Sequence, residues 1–275
     1  MSSYLIRLFY LGNRYHGSQI QPGFRTVAGN LVDALQSWSG LPFTNSSVQF
    51  AGRTDRGVHS IGQVVRIDSD SSLNIDKINR YLPDDIVIWA RSKIPSTFHP
   101  RYDVLHRHYR YYIRNHSFSN FDSIQKELQS LIGTNDFRLL SKPDGPRTTT
   151  ITMLNACISS RDNPLSFDFV GNSFLWKMIR KIVTVLKDIG SGYVRCDAIS
   201  RMLDGDKIYP GGIQPSPPES LVLVESVVPF IFTLSKYAIR KALRTLNDYS
   251  SRFTRTLETL EFIKREITAI QRQTF

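Results

Sequence analysis

The residues best suited to chemistry lie together in Ala51-Gly52-Arg53-Thr54-Asp55-Arg56-Gly57-Val58-His59-Ser60. One carboxylate, Asp55, stands between two guanidiniums, Arg53 and Arg56. Thr54 adds a hydroxyl and His59 an imidazole. Flanking cations favour the charged form of an acid. A fixed, ionised carboxylate serves as a nucleophile, a general base or a metal ligand. Composition does not choose among these. Asp with Gly two residues on is also ordinary turn chemistry, in which the carboxylate bonds its own backbone. The two arginines lift Asp55 above that reading.

Two apolar stretches must hold this loop. Val48 to Ala51 feeds into it, and Gln63-Val64-Val65-Arg66-Ile67 leaves it in a strand pattern. Gly52 and Gly57 are free to take positive φ in the turn between them. Upstream, residues 4–11 read as a buried strand and 12–25 as a loop. Thr26 is an N-cap for a helix with Val27, Leu31, Leu35 and Trp38 on one face and Gly40 as its stop. Strands at 47–53 and 62–68, a short helix from Asn74 to Tyr81 and a strand from Ile86 to Ile94 complete the first hundred residues. The order β-α-β-β-α-β is that of a ferredoxin-like unit.

The second half repeats it. A strand over 104–115 places Leu105, Arg107, Tyr109, Tyr111 and Ile113 on one face. His106, His108, Arg110, Tyr112 and Arg114 take the other. Interleaved basic and aromatic side chains suit phosphates and bases, and equally an antiparallel strand with one solvated face. A helix at Asn120–Ile132 and strands at 147–160 and 165–170 follow. The next helix carries a wide apolar stripe from Phe174 to Ile189, stopped by Gly190. Arg180 falls on its polar stripe. It is by default a solvated residue, at a rim from which it can also enter a cleft. A short helix at Arg195–Leu203, a Gly/Pro-rich loop over 205–218 and a strand at Leu221–Val228 end the repeat.

The expected fold is therefore α+β. Two ferredoxin-like halves join into one extended, mostly antiparallel sheet, with helices on one face and the cleft on the other. The boundaries are 1–103, 104–230 and a basic helical extension at 231–275. The extension has no strand pattern and reads as two helices parted at Ser250-Ser251. It can pack on the protein, pair with a second subunit or touch RNA.

The 275 residues carry net charge +11, which favours a nucleic-acid partner, with an anionic membrane surface as runner-up. No apolar run approaches the ~18 residues of a membrane span. The first residues lack the pattern of a secretory signal. Two distant cysteines, Cys157 and Cys196, suggest neither a disulfide framework nor a zinc site, and fit a reducing cytoplasm.

Several segments in order resemble one family, the tRNA pseudouridine synthases of the TruA type, in an archaeal-like form. Gly52-Arg53-Thr54-Asp55 with Gly57-Val58-His59 resembles its catalytic loop. Tyr15 to Gln21 with Arg25-Thr26-Val27 resembles its first loop and helix start. Leu82-Pro83, then Phe98-His99-Pro100-Arg101, resembles the stretch into its second half. His108-Tyr109-Arg110-Tyr111-Tyr112-Ile113 resembles its Tyr-x-Tyr strand, and Gly133-Thr134-Asn135-Asp136-Phe137 its Gly-x-x-Asp-Phe turn. Ser173-Phe174-Leu175 with Met178-Ile179-Arg180 resembles its arginine-bearing helix. Pro217-Pro218 to Leu221-Val222-Leu223 resembles its last strand. Arg56, Ser18, Trp176-Lys177 and Ser220 depart from the residues common there.

The resemblance implies an isomerase acting on uridines of the tRNA anticodon stem-loop, around positions 38–40, without cofactor or metal. It implies Asp55 as nucleophile, Tyr109 stacking on a flipped-out base, and Arg180 paired with Asp55. Arg53 would occupy or stabilise the vacated site. Arg56, Arg110 and Lys177 would bind substrate, and the working form would be a homodimer. Two other readings compete. A non-catalytic RNA-binding protein would keep the basic face alone. A metal-dependent hydrolase would use Asp55 and His59, but lacks a further ligand at suitable spacing.

Overall fold

In the computed structural model, residues 1–44, 46–114, 118, 120–146, 148–160 and 162–273 are described. The ends of two expected strands, Asn115 and Arg147, lie outside them. The first half runs β1 (Ser2–Tyr10), α1 (Val27–Ser39), β2 (Val48–Phe50), β3 (His59–Ser69), α2 (Ile75–Ile78) and β4 (Ile86–Ile94). The second runs β5 (His106–Ile113), α3 (Phe121–Ser130), β6 (Gly133–Asp136), β7 (Thr150–Ser160), β8 (Leu165–Gly171), α4 (Met178–Gly190), α5 (Ala198–Leu203) and β9 (Leu221–Val227). Then follow β10 (Thr233–Leu234) and α6 (Lys236–Gln273).

The sheet order is β10-β4-β1-β3-β9-β5-β8-β7-β6, with β2 also on β3. Each half therefore has the ferredoxin-like order, β4-β1-β3-β2 and β9-β5-β8-β7. The halves meet where β3 and β9 run parallel, with His59 beside Val222 and Ser60 beside Leu223. All other strand pairs among the described residues are antiparallel.

Local chemistry sets the boundaries. Thr26 Oγ1 accepts the Gly29 N–H at 3.2 Å, and Gly40 ends α1 at φ 72°. A cap of this kind contributes about 1 kcal/mol. Asn74 caps α2 and Asn120 caps α3 in the same way. The helix expected from Phe174 begins only at Met178, because Lys177 takes φ 61° and breaks the preceding backbone.

Two cores form on one face of the sheet. Leu31 and Leu35 of α1 and Ile78 of α2 cover Ile6, Leu8 and Val65. Met178, Ile182 and Val183 of α4 cover Tyr111, Ile113 and Phe167. Each such fully buried side chain contributes about 1.5–3 kcal/mol of transfer free energy.

Four expectations differ. Gly133–Asp136 forms an edge strand on β7 rather than a turn alone. The extension does contain a strand, β10, which pairs with β4. Its helix is one element of 38 residues, because the Ser250-Ser251 pair is only mildly unfavourable in a helix without Gly or Pro. Finally, Tyr109 lies in the core beneath α4. The candidate cleft is thus on the helix-bearing face, between the two helix groups. Alternation along β5 requires this, since Tyr109 shares its face with the buried Tyr111 and Ile113.

α6 starts on the opposite face. Ala238 packs on Phe9 and Val87, which alternate away from α1 and α2. Lys241 Nζ donates to Asn79 O at 2.7 Å, and Thr245 Oγ1 to Asp84 O at 2.9 Å. From Ser251 to Gln271 the helix is almost wholly exposed.

Candidate active site

Asp55 lies in the turn between β2 and β3. Its Oδ2 accepts a bond from Arg180 Nη1 at 2.7 Å. The Arg180 side chain is only 11% exposed and that of Asp55 21%, so the default reading of Arg180 as solvated does not hold. The Gly/Pro-rich loop before β9 folds over the polar stripe of α4. Arg180 Nε donates to Ser216 O at 2.6 Å, and Ser216 N–H donates back to Arg180 O at 3.0 Å. Thr184 Oγ1 donates to Gln214 O at 2.7 Å and fixes the same loop. Two acceptors at once aim the planar guanidinium, a geometry that lysine cannot reproduce.

Tyr109 is 6% exposed, and its ring meets Phe174 edge-on at 5.1 Å. Burial pushes its phenol well above the ordinary value. Tyr10 adds to this, Arg107 opposes it, and the nearby Asp55 charge raises it further. The hydroxyl is therefore protonated at neutral pH. Asp55, Arg180 and Tyr109, which the family resemblance places at one site, lie together here.

The loop backbone is clamped at Ala51, Gly52 and Thr54. Thr54 N–H donates to Ser18 Oγ at 2.8 Å, and Ser18 N–H donates to Thr54 O at 3.1 Å. The Tyr10 hydroxyl shares a hydrogen with Thr54 Oγ1 at 2.8 Å. Gln63 Nε2 donates to Gly52 O at 2.9 Å. Arg107, 6% exposed, grips three segments with its fork. Its Nη2 donates to Ala51 O at 2.6 Å and Arg101 O at 3.1 Å, and its Nη1 to Asn172 O at 2.6 Å.

Gly57 takes φ 87°, and a Cβ there would lie 2.9 Å from Pro218. Gly52 does not take positive φ. Its missing side chain instead leaves room for the Arg107 guanidinium, whose Nε would be 3.4 Å from a Cβ. His59 is occupied structurally, because its Nδ1 accepts the Gly12 N–H at 3.1 Å. Burial pushes its imidazole below the ordinary value, opposed by a backbone bond at Glu219. It clips the loop after β1 to the loop before β9 and makes a poor metal ligand.

The remaining candidates are spread out. Arg53 is exposed and stands 3.8 Å from Asp144. Lys177 lies 5.4 Å from the Trp176 ring, and Lys142 covers the same ring at 4.2 Å. Lys181 Nζ donates to Ser141 O at 2.6 Å, and burial pushes its amine down. These residues make a basic rim joined by the loop at 141–145. Arg56 is exposed beside Asp55. Arg110 is not brought to the site. It faces away from Tyr109 and grips Asp168 with two bonds, at 2.7 and 2.8 Å. His108 Nε2 lies 3.0 Å from the same carboxylate.

Sequence reasoning gave Tyr10, Gln63 and Ser216 no role and read Ser18 only as a departure. Nothing in a short polar residue announces that it will be buried against a distant backbone. Arg107 did carry a signal, as the charged residue in an otherwise apolar and aromatic stripe.

Residues 128–227 match a family model described as tRNA pseudouridine synthase. The chain is 39% identical over 222 residues to tRNA pseudouridine synthase A of Methanosarcina mazei, covering 80% of this chain and 82% of that one. It is 35% identical over 254 residues to the protein of that name from Methanococcoides burtonii, covering 90% and 91%. Against that of Methanothermobacter thermautotrophicus the identity is 31% over 274 residues, covering 99% and 94%.

Proposed function

The chain belongs to the tRNA pseudouridine synthase A family of isomerases, and we propose that it converts uridine to pseudouridine in the anticodon stem-loop of tRNA with Asp55 as nucleophile. The observation that carries this reading is the Asp55–Arg180 pair at 2.7 Å, set beside Tyr109 in a chain of this family.

The reaction breaks the bond from ribose C1′ to N1 of the base, turns the base, and joins C5 to C1′. The C5 proton is lost and N1 gains one. Nothing is oxidised or hydrolysed. A carboxylate suits the covalent step, because it can attack and then leave. Attack at C1′, attack at C6 and a glycal route each use this one acid.

Arg180 holds the acid aimed during attack, through the 2.7 Å bond to its Oδ2. It also balances the charge of a partly buried carboxylate, and removing one partner of such a pair is costly. Tyr109 offers its ring to the detached base, and stacking of this kind is worth about 1–3 kcal/mol. Its raised phenol makes it a donor to the base rather than a proton acceptor. The target uridine must first leave its helical stack, at a cost of a few kcal/mol. Arg53 stands at the exposed edge of the loop, suited to the gap or to a phosphate. The basic rim of Lys142, Lys177 and Arg53 supports backbone binding, which weakens as salt rises. On the family likeness, the working form is a cytoplasmic homodimer with one tRNA across both subunits.

The test is to treat unmodified tRNA with the protein and map pseudouridine by carbodiimide-dependent reverse-transcription stops. The wild type gives stops in the anticodon arm. Asp55→Asn gives none while still binding tRNA. Retained product in Asp55→Asn rejects the nucleophile assignment.

A further inference from the structure

A cavity of about 530 Å³ opens beside the catalytic loop, within the range of small-ligand sites. It is lined by Arg56, Gly57 and His59, by Pro218 and Glu219 before β9, and by Phe253 of α6. The stretch of α6 that carries Phe253 is anchored. One helical turn before Phe253, the Tyr249 hydroxyl donates to the buried Asp85 carboxylate at 3.3 Å and accepts from Arg14 Nη1 at 3.5 Å. Phe253 itself is 55% exposed. It presents a ring, and the tilted Tyr249 ring at 5.9 Å leaves it open to a further stacking partner.

We propose that this cavity takes a second nucleotide of the substrate RNA, with its base stacked on Phe253 and its phosphate held by Arg56. The inference rests on the proposed function and extends it, since it makes the C-terminal helix part of substrate selection. Three observations favour a nucleotide in an RNA strand. The lining continues the catalytic loop, as Arg56 follows Asp55 in the chain, so a strand presenting its uridine to Asp55 passes this opening. A flat ring and a guanidinium lining one cavity are the combination that grips single-stranded nucleic acid. Glu219 disfavours a free anion but accepts bonds from the N–H groups of a base.

The test places the photocrosslinker p-benzoylphenylalanine at position 253 of the full-length Asp55→Asn protein, which binds tRNA without turnover. Irradiation followed by primer extension is expected to map a crosslink in the anticodon arm, a few nucleotides from the target. No crosslink to RNA, or a crosslink only to a second protein chain, overturns the inference. In the active protein, Phe253→Ala raises KM for tRNA about tenfold, as loss of one stacked base predicts, and leaves kcat within about twofold. Phe253→Tyr restores KM, since a phenol ring stacks equally well. An unchanged KM in Phe253→Ala overturns the inference while the wild type still makes pseudouridine. A wild type that makes none overturns the function on which it rests.

Discussion

Ser18 and Thr54 are joined twice, by the Thr54 N–H to Ser18 Oγ bond at 2.8 Å and the Ser18 N–H to Thr54 O bond at 3.1 Å. Thirty-six residues apart in sequence, they fasten the loop after β1 to the backbone next to Asp55. Both are buried. Ser18→Ala leaves a buried N–H without its acceptor, at a cost of about 1–3 kcal/mol. The expected outcome is a lower Tm and a fall in kcat of about tenfold, because Asp55 loses its fixed position. Calorimetry and single-turnover kinetics check it. An unchanged kcat would show that this clamp serves folding alone.

Arg180→Lys keeps the charge and loses the fork that reaches Ser216 O and Asp55 together. The variant is expected to fold and to bind tRNA, with kcat reduced by at least about tenfold. Arg180→Ala falls further, since it strands a partly buried carboxylate. Equal kcat for all three proteins would return Arg180 to a surface role.

His59 gives stability a pH dependence. Burial lowers its imidazole below the ordinary value of 6.5. As the pH falls below that value, the unfolded chain takes up a proton that the folded chain resists. The contribution is therefore present above about pH 6.5 and lost as pH drops through the folded value. The Tm of the wild type is expected to decline on that acid side. In His59→Asn, whose amide oxygen can still accept from Gly12, this part of the decline disappears. An identical pH profile for the two proteins would refute the assignment.

Glu127 is a stability test remote from the chemistry. Fully buried, it accepts the Ile199 and Ser200 N–H groups at 2.6 and 3.0 Å and the Ser200 hydroxyl at 2.7 Å. A carboxylate from α3 thus caps α5. Glu127→Gln turns one acceptor into a donor facing these groups and costs about 1–3 kcal/mol. Denaturant melts are expected to shift accordingly, with kcat per folded molecule unaltered. A loss of kcat without a loss of stability would contradict this.

Much of the fold was legible because both periodicities are strong. The alternation on β5, the apolar stripe of α4 and the caps at Thr26 and Gly40 all appear where their residue types require. What was not legible depended on partners distant in sequence. Arg180 reads as solvated until the loop carrying Ser216 closes over it. Arg110 reads as a phosphate ligand until Asp168 appears on the neighbouring strand. The side of the sheet that bears the site follows from α4 docking over Tyr109, which β5 alone does not encode. The single helix at the C-terminus was missed because paired serines resemble a break and are only a weak one.

The β3–β9 seam has a consequence for how the enzyme comes into being. The acid is carried by one half of the chain and its guanidinium by the other, and they meet only where the two sheets zip together. Docking of the two halves and assembly of the proposed site are consequently one event. On the proposed role of Asp55, a molecule whose halves had not docked would lack the Asp55–Arg180 pair and with it the assembled site.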